Sequence, residues 1–518
     1  MNNEIEFYIP NNVDIREILK KERKGKRYIE CQIDKYHWFL DTIYKQSILN
    51  KKYELGDFIP LQNKKLEEVL GSRYVHHIKT ILPKHGIIEC DHDFKEGIKS
   101  LGFRLTKDYQ VRHYRILKDS NSTFIKSLQS RNITAIAEMD AITKYTYNQL
   151  VDLGIYAEEA AQHVEDWYTQ NLTVENPVLL KKLYRKNKKR RKAERIAIKK
   201  GYNAHYPDLT YEQMLDLMRD SYLYQIRAIN EKLWLPLRDD KSFRIHTYLT
   251  NSWSELRQFL YLKSNTDTQL VSLDCSNSQP FTLVKILLEH CKGIDLYDSP
   301  HTDVIDYIEF VTQGKLYHFM CGQLGITDSK EILKFKEKMF ANVFYSSNKH
   351  GYFTKEAIAF REHFPTVYQV IMQEKRGCFK QLSIKMQRVE TSAVIDIALT
   401  TLMEKYGESE WFSSIHDSII CSEVFEAEVR QLMLDAYNEV VGVFPHIKPA
   451  EKVNKLKPSV TVESSTTLPD NTPLNVLRKR FEEQFASKQY KDQIARKDCQ
   501  EALKSSTGKK TNGLGIDW

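Results

Sequence analysis

The spacing of apolar residues in the first hundred positions predicts three short helices. Apolar side chains in YHWFLDTIYKQSIL, residues 36–49, recur with a helical period. The segment LQNKKLEEVLG predicts a second helix over 61–71 that ends at its glycine. In RYVHHIKTIL, residues 73–82, Val75, Ile78 and Leu82 share one face, and Ser72 is the expected N-terminal cap. The preceding residues 1–32 are charged and without clear period, so we expect an irregular extension.

Two strand patterns follow these helices. Gly86 precedes IIEC, and LGFRL at 101–105 alternates apolar and polar positions, which is typical of a hairpin. Three helices and a hairpin in this order predict a winged helix-turn-helix domain, whose third helix contacts nucleic acid. Its predicted solvent face carries Arg73, Tyr74, His76, His77 and Lys79. A protein-binding winged helix without nucleic-acid contact is the alternative.

Residues 120–235 have mainly helical patterns and include the most basic segment of the chain. Twelve of the twenty residues from 181 to 200 are Lys or Arg, against one Glu. Such a helix repels itself unless a polyanion lies against it, so Arg185, Lys189, Arg190 and Arg191 are candidate phosphate contacts. A solvated basic helix or a localisation signal is the alternative. Residues 451–474 are rich in Ser, Thr and Pro and predict a linker, and a basic helix and disordered tail are expected over 475–518.

Composition limits the class of protein. The chain has 518 residues, 41% of them hydrophobic, and a formal net charge of +8, which excludes a wholly disordered chain. No apolar run is long enough for a membrane span, and the N-terminus has no secretory pattern, so we expect a cytoplasmic protein, in a bacterial host. The eight cysteines lack zinc-site or disulfide-framework spacing. No Walker-type phosphate loop is present, which argues against an ATP-driven helicase.

Two segments place an acid at the end or in the middle of an apolar strand pattern. VSLDCSNSQPFTLVKILLE, 271–289, leads an apolar strand into Asp274, and WFSSIHDSIICSE, 411–423, is interrupted at His416 and Asp417. The second pattern predicts a hairpin whose turn holds a carboxylate. An acid in a buried segment needs a partner, and a divalent cation is a common one. Each signal alone also fits a capped turn. Together they suggest two carboxylates that hold two Mg²⁺ ions, with Mn²⁺ as an alternative metal.

These segments resemble the palm and fingers of family A DNA polymerases and the related single-subunit phage RNA polymerases, over about residues 235–445. The resemblance implies that Asp274 and Asp417 are the metal-binding aspartates and that His416 either contacts the primer end or holds the turn. Because Cys275 directly follows Asp274, its backbone carbonyl is a further candidate metal ligand. In KFKEKMFANVFYSS, 334–347, the resemblance implies a fingers helix that binds the incoming nucleotide. Lys336, Phe340 and Phe344 share a face at helical spacing, and Lys338 with Tyr345 is the competing register.

The resemblance also implies contacts to the template and primer. Arg244 matches the arginine of the family's Gly-Arg segment, Arg257 a later arginine, and Gln387 the glutamine of the helix before the second metal strand. The sequence departs from the family pattern at several positions, with Ile332 in place of an arginine and no glycine after the aromatic in FYSS, and at three further residues. Phe243 replaces the glycine before Arg244, Ser418 follows Asp417 where DNA polymerases carry an acid, and Gln279 replaces the glutamate that crowds a ribose 2′-hydroxyl. These departures leave the choice between dNTPs and rNTPs open.

The expected architecture is α+β and helix-rich, a right-hand polymerase core with a small antiparallel palm sheet, preceded by the winged helix-turn-helix domain. The expected parts are an extension (1–32), the winged helix (33–115), a basic thumb-like region (116–235), palm and fingers (236–450), the linker (451–474) and the tail (475–518). The expected function is DNA polymerisation on a primed template from nucleoside triphosphates, in replication of a phage or other mobile element. Replication proteins could bind the tail, and no membrane partner is expected. A single-subunit RNA polymerase or primase, and a non-catalytic replication initiator or regulator, are the alternatives.

Overall fold

The computed structural model describes most of the chain before residue 456. The described residues are 5–49, 53, 56–97, 99–110, 113–117, 122–293 and 301–455. Contacts divide the chain into one unit over Met1–Lys457 and another over Pro458–Trp518. The predicted basic helix and tail at 475–518 lie outside the described residues.

The N-terminal part contains five strands and four helices. In chain order they are β1 (Glu6–Pro10), α1 (Ile15–Lys21), α2 (Lys26–Leu49), β2 (Ile59–Pro60), α3 (Asn63–Leu70), α4 (Ser72–Lys84), β3 (Ile88–Cys90), β4 (Gly102–Leu105) and β5 (His113–Leu117). Strands β2, β4 and β3 form one antiparallel sheet in that order, and β1 pairs with β5. One hydrophobic core, with Tyr36, Phe39 and Ile78 among its members, joins the four helices to strands β1 to β4. Their order is compatible with a winged helix, which stays a prediction.

Four expectations for this part need correction. Residues 1–32 are not irregular, because they form β1, α1 and the start of α2, which begins ten residues before the predicted position 36. Ser72 is the first residue of α4 rather than its cap, and Gly71 ends α3 with φ of 83°. The strand β4 does not alternate, because Arg104 is also buried, with its guanidinium over the ring of Tyr206.

The middle of the chain is helical, as predicted. It contains α5 (Thr123–Ala137), α6 (Ala141–Asp152), β6 (Leu153–Ile155), α7 (Ala157–Thr173), α8 (Pro177–Lys199) and α9 (Tyr211–Glu231). Pro177 stands at the first position of α8, where its missing N–H costs nothing, and the Asn176 side chain caps the same end. The basic run therefore lies on a regular helix of 23 residues.

The remaining described residues surround a small sheet with helices. They form β7 (Leu237–Arg238), β8 (Ile245–His246), α10 (Tyr248–Asn251), β9 (Leu260–Leu262), β10 (Leu270–Asp274), α11 (Ser278–His290), α12 (Thr302–Thr312), α13 (Leu316–Gln323), α14 (Ser329–Met339), α15 (Asn348–Gly351), α16 (Lys355–His363), α17 (Pro365–Glu374), α18 (Lys380–Thr391), α19 (Thr400–Tyr406), β11 (Phe412–Ile415), β12 (Ser418–Ser422), α20 (Glu426–Val441) and β13 (Glu451–Lys452). Two π-helical segments, Phe340–Tyr345 and Ser392–Leu399, continue α14 and α18. The expected helix-rich α+β class with small antiparallel sheets is confirmed.

The four-stranded antiparallel sheet has the order β11-β12-β10-β13. Because side chains alternate along a strand, Val271 and Leu273 of β10 enter the largest core, whereas Ser272 and Asp274 lie on the opposite face. The core side is filled by α11 and α20, where Phe281 packs edge-on against Tyr437. The predicted linker start at 451 is wrong, since Glu451–Lys452 is the edge strand β13, and positions 456–474 lie outside the described residues.

Candidate active site

Asp274 and Asp417 come from separate segments and lie side by side. Asp274 is the last residue of β10 and pairs in register with Ser418, the first residue of β12. Asp417 directly precedes Ser418, and with His416 it forms the two-residue turn between β11 and β12. His416 has φ of 57°, the left-handed conformation that tight hairpin turns need at this position. The predicted hairpin with a carboxylate in its turn is confirmed.

Negative charge is concentrated around these two residues. Burial raises the pKa of Asp417 well above its ordinary value, and the nearby carboxylates of Glu390 and Asp274 raise it further. Asp417 also shares a side-chain hydrogen bond with Asp274. On the other side, Lys448 forms an ion pair with Asp274, and its backbone N–H donates to the Asp274 carbonyl oxygen at 2.9 Å. Three acidic side chains thus lie close together, with Lys448 as a counter-charge to Asp274 and Arg244 as a counter-charge to Glu390.

The aspartates open into a cavity of about 320 Å³ whose wall contains nine of the nineteen predicted site residues. Predicted residues on its wall are Arg244, Asp274, Cys275, Gln279, Lys336, Phe340, Tyr345, His416 and Asp417. Further wall residues that the sequence did not single out are Asn277, Ser278, Pro280, Tyr317, Glu390 and Lys448. The Cys275 thiol is buried, and burial raises its pKa well above the ordinary value, so it is not a nucleophile. Coordination of metal by its carbonyl oxygen stays a prediction.

A π-helical turn decides which residues of the fingers segment face the cavity. Lys336 on α14 and Phe340 at the start of the π-helical segment are four residues apart and both line the wall. The segment after Phe340 has wider turns than an α-helix, so the next residue on this face is Tyr345 instead of Phe344. Phe344 is fully buried in the core, and exposed Lys338 is absent from the wall. The cavity wall therefore takes Lys336 and Phe340 from the first predicted register and Tyr345 from the competing one.

Lys336 is placed to meet an anion in the cavity. Its ammonium group lies 5.2 Å from the ring centre of Tyr317. Burial lowers the pKa of Lys336, the charge of Lys448 lowers it further, and Asp274 and Asp417 act in the opposite direction. These couplings place two lysines and two aspartates within electrostatic reach of each other. The arrangement offers cations to an anion that enters beside the aspartates.

Glu390 on α18 organises the opposite wall. It is 1% exposed, and its carboxylate accepts hydrogen bonds from Arg244 at 2.9 Å, from Ser278 at 2.7 Å and from Gln279. Gln387, the residue of this helix that the family resemblance implies, lies outside the cavity wall and hydrogen-bonds the Tyr345 hydroxyl. Glu390 lies within a helix and interrupts no apolar strand pattern, so the signal that identified Asp417 is absent at this position.

The Tyr345 hydroxyl connects the fingers segment to this network. It donates to the Gln279 side-chain oxygen at 3.2 Å, while the Gln279 amide nitrogen donates to Glu390. Burial raises the pKa of Tyr345, so the phenol stays protonated and able to donate at neutral pH. Gln279 is therefore held at both ends of its amide and has one orientation in the cavity.

Phe243 stands at the position where the family resemblance implies a glycine. It has φ of 59° in the β7–β8 connection, a conformation that costs an L-residue roughly 1–2 kcal/mol and that glycine adopts freely. A glycine, as implied by the resemblance, would fit this backbone without strain. The Phe243 ring instead makes a cation–π contact with Arg388, whose guanidinium lies 4.7 Å from the ring centre.

The predicted nucleic-acid contacts occupy several places. Arg257 lies apart from the aspartate cavity, in a second cavity of about 310 Å³ that also includes Ser272, on the same face of β10 as Asp274. Arg73 on α4 is exposed, whereas Lys79 is half-buried and donates to Asn63 at 2.8 Å. On α8, the side chains of Arg185, Lys189 and Arg191 are exposed.

Arg190 is a correction to the predicted phosphate contacts. It is 4% exposed and donates to the carbonyl oxygens of Pro207 at 2.9 Å and Gly56 at 3.2 Å. Burial, followed by the charge of Arg104, lowers the pKa of Arg190 to about 10. This arginine fixes α8 to the N-terminal part of the chain and is not available to a phosphate.

The donor set at the aspartates fits Mg²⁺. Among the described residues, no group of three or more His, Cys, Asp or Glu side chains has the geometry to enclose a metal ion. Mg²⁺ characteristically uses one or two carboxylates and takes its other ligands from water and substrate phosphates. The two carboxylates open into a cavity, and the charge of Asp274 raises the pKa of Asp417, so a cation bound between them would relieve their repulsion.

Comparisons with known proteins find likeness to solved structures but none to family models or curated sequences. No protein-family model and no curated protein matches the chain. Among solved structures, the polymerase domain of Pol1 from M. smegmatis, in complex with DNA primer-template and dNTP, is similar at a TM-score of 0.37 and 10% sequence identity. The alignment covers 64% of this chain and 73% of that one. No helix in the described part of the chain has the length and apolar character of a membrane span.

Proposed function

We propose that this protein is a template-directed DNA polymerase that transfers nucleotides to a primer 3′-hydroxyl with two Mg²⁺ ions. The observation that carries the proposal is the position of Asp274 beside Asp417 on the wall of a cavity that also presents Lys336 and Arg244. The two aspartates are 143 residues apart in the sequence. Paired carboxylates with nearby cations are the arrangement that phosphoryl transfer requires, since it depends on metal binding and charge neutralisation.

The residues of the cavity would divide the work as follows. Lys336 would bind the triphosphate, and Phe340 and Tyr345 would form the surface against the base and sugar. Two Mg²⁺ ions held by Asp274 and Asp417 would activate the hydroxyl and neutralise the departing pyrophosphate. The hydroxyl oxygen forms a bond to the α-phosphorus as the bond from that phosphorus to the β-phosphate oxygen breaks. His416, at the hairpin tip, would contact the primer end.

DNA contacts would extend from this cavity over other surfaces. Arg257 would meet the primer strand in the second cavity, because that cavity lies on the same face of β10 as Asp274. The exposed cations of α8, with Arg185, Lys189 and Arg191 among them, would hold the duplex backbone as a thumb does. The winged helix would add binding through Arg73 on α4. Replication of a phage or other mobile element is the context that this combination suggests.

An RNA polymerase or primase is the second candidate, and one contact favours it. Gln279 occupies the position where the family resemblance implies a glutamate, and Glu390 and Tyr345 hold its amide at both ends. A neutral amide there changes the surroundings of the sugar. Nucleotide choice therefore has to be measured rather than inferred from the family.

Primer extension with Mg²⁺ tests the proposal. The wild type, Asp417→Asn and the exposed control Asp240→Asn would be supplied with dNTPs or rNTPs on a primed DNA template. We expect extension with dNTPs by the wild type and the control, and a loss of at least about 10³-fold in Asp417→Asn. Extension with rNTPs alone would establish the second candidate. Folded protein that binds DNA but extends with neither nucleotide would favour the non-catalytic initiator.

A further inference from the structure

The connection between α1 and α2 carries a dense positive charge that the proposed active site does not use. Six of the nine residues from 20 to 28 are Lys or Arg, in KKERKGKRY. Arg23, Lys26 and Arg27 are exposed, and Lys24 is half-buried with its ammonium group 5.3 Å from the ring centre of Tyr28. Lys26 is the first residue of α2, whose first turn contains no acidic side chain.

This connection lies directly against α4. The Tyr28 hydroxyl is 3.1 Å from Nδ1 of His77, and its ring centre is 6.3 Å from that of Tyr74. Farther along α4 the contact is ionic, because Glu22 bonds Lys84 and His85, each at 2.8 Å. The α1–α2 connection and the exposed side of α4 are therefore parts of one surface.

The charges on this surface are close enough to act on each other. Burial lowers the pKa of His77, and the charges of Lys24, Arg73 and His76 lower it further. The acid within the 20–28 run, Glu22, is directed toward Lys84 and His85, and the hydrogen bond with Lys84 is the main cause of its lowered pKa. The rest of the run is left with an excess of positive charge beside the rings of its own Tyr28 and of Tyr74 on α4.

We infer that residues 23–28 and the exposed side of α4 form one surface that binds the phosphate backbone of duplex DNA. Lysines and arginines around tyrosine and histidine rings are the composition of a nucleic-acid contact, in which each bound phosphate releases counterions. Cations in the first turn of a helix are repelled by the positive end of the helix dipole. A phosphate bound at the same place is stabilised both by these cations and by the dipole. The inference rests on the part of the proposed function that gives α4 a DNA contact, and it adds the α1–α2 connection as a second one.

Binding to a blunt-ended duplex, without nucleotide, tests the surface apart from catalysis. Lys24→Gln/Lys26→Gln would be compared with Lys263→Gln/Lys292→Gln, a control pair of exposed lysines outside the N-terminal part. Fluorescence anisotropy over a series of salt concentrations would give Kd and its salt dependence. We expect the substitutions at Lys24 and Lys26 to raise Kd at least about fivefold and to reduce the slope of log Kd against log salt by about one to two. The control pair should change Kd less than about twofold.

Several outcomes would overturn the inference. Equal effects of both pairs would show only a general loss of charge, and tighter wild-type binding to duplex RNA than to DNA would exclude the DNA assignment. Two controls accompany the Lys24→Gln/Lys26→Gln variant. Its melting temperature should be unchanged, which shows that folding is unaffected, and its primer extension at saturating primed template should equal that of the wild type, which shows that the active site is unaffected. Should Asp417→Asn extend primers normally, the proposed catalysis would fail while the duplex-binding result stood independently.

Discussion

At the scale of single residues, Glu390 connects three parts of the candidate site. Its carboxylate joins Arg244 before β8, Ser278 and Gln279 at the start of α11, and its own helix α18. This buried carboxylate accepts four hydrogen bonds from three residues, so its lone pairs are satisfied. It also neutralises the charge of the guanidinium beside it. Removal of this one group would leave the cation and two donors buried without an acceptor.

We expect Glu390→Ala to lower the free energy of unfolding by about 3–5 kcal/mol, the usual cost of removing one partner of a buried ion pair. Urea titration of the metal-free protein measures this, with the exposed Glu404→Ala on α19 as control, where the change should stay within about 0.5 kcal/mol. Glu390→Gln keeps an acceptor and should fall between the two. Equal midpoints for Glu390→Ala and Glu404→Ala would contradict the role of Glu390 in this network.

The same residue shows what sequence analysis could not reach. Asp274 and Asp417 were found because each interrupts an apolar strand pattern, which is a local signal. Glu390 acts through Arg244, 146 residues away, and Lys448 through Asp274, 174 residues away. Contacts at such separations leave no periodic trace in the sequence, so both residues were missed.

At the scale of elements, the fingers segment depends on its change of helix type. A period of 3.6 residues predicts Lys336, Phe340 and Phe344 on one face, and this holds up to Phe340. The π-helical segment then rotates the face by one residue toward Tyr345. Lys375, which directly follows α17, donates to the carbonyl oxygen of Val343 inside that segment and is 5% exposed. Periodicity alone has no way to predict a turn that a distant lysine stabilises.

The buried Lys375 gives the protein a measurable pH dependence. Burial lowers its pKa from 10.5 to about 8, so the folded protein binds this proton less tightly than the unfolded chain does. The unfolded chain holds more protons between these two values, and the free energy of unfolding should therefore increase as pH rises from about 8 to about 10.5. We expect Lys375→Met to lack this increase, whereas the exposed control Lys380→Met should retain it. Denaturant midpoints measured across this range provide the check, and an identical rise in both variants would exclude Lys375 as its source.

At the scale of the whole described chain, α8 serves two purposes with one basic sequence. Its buried Arg190 and the fully buried Arg104 of β4 donate to the same Gly56 carbonyl oxygen, at 3.2 and 3.3 Å. This contact joins the middle helices to the N-terminal part. The exposed cations on the other sides of α8 remain available to a polyanion. Composition predicted the positive charge of α8. Only the packing shows that Arg190 has a structural role, whereas the exposed cations lie on the surface.

Substitutions within α8 should separate these purposes. Arg185→Gln/Lys189→Gln removes exposed charge, and we expect a several-fold weaker affinity for duplex DNA, a salt slope smaller by about one to two, and an unchanged melting temperature. Arg190→Gln should instead lower the free energy of unfolding by about 1–3 kcal/mol, since buried carbonyl groups lose their donors. Anisotropy and urea titration on the same preparations measure both effects. A destabilised exposed pair, or a fully stable Arg190→Gln, would reverse the assignment.

The order of strands in the small sheet has a consequence for synthesis on the ribosome. β10, which carries Asp274, lies between β12 and β13, and both partners are encoded far downstream. While the chain emerges, β10 therefore waits with both edges unpaired until Ser418 and finally Glu451 have left the exit tunnel. Unpaired edges are prone to wrong partners during this interval. The candidate catalytic centre is thus among the last features that a nascent chain can complete, and a slow step late in translation would lengthen the period in which it is vulnerable.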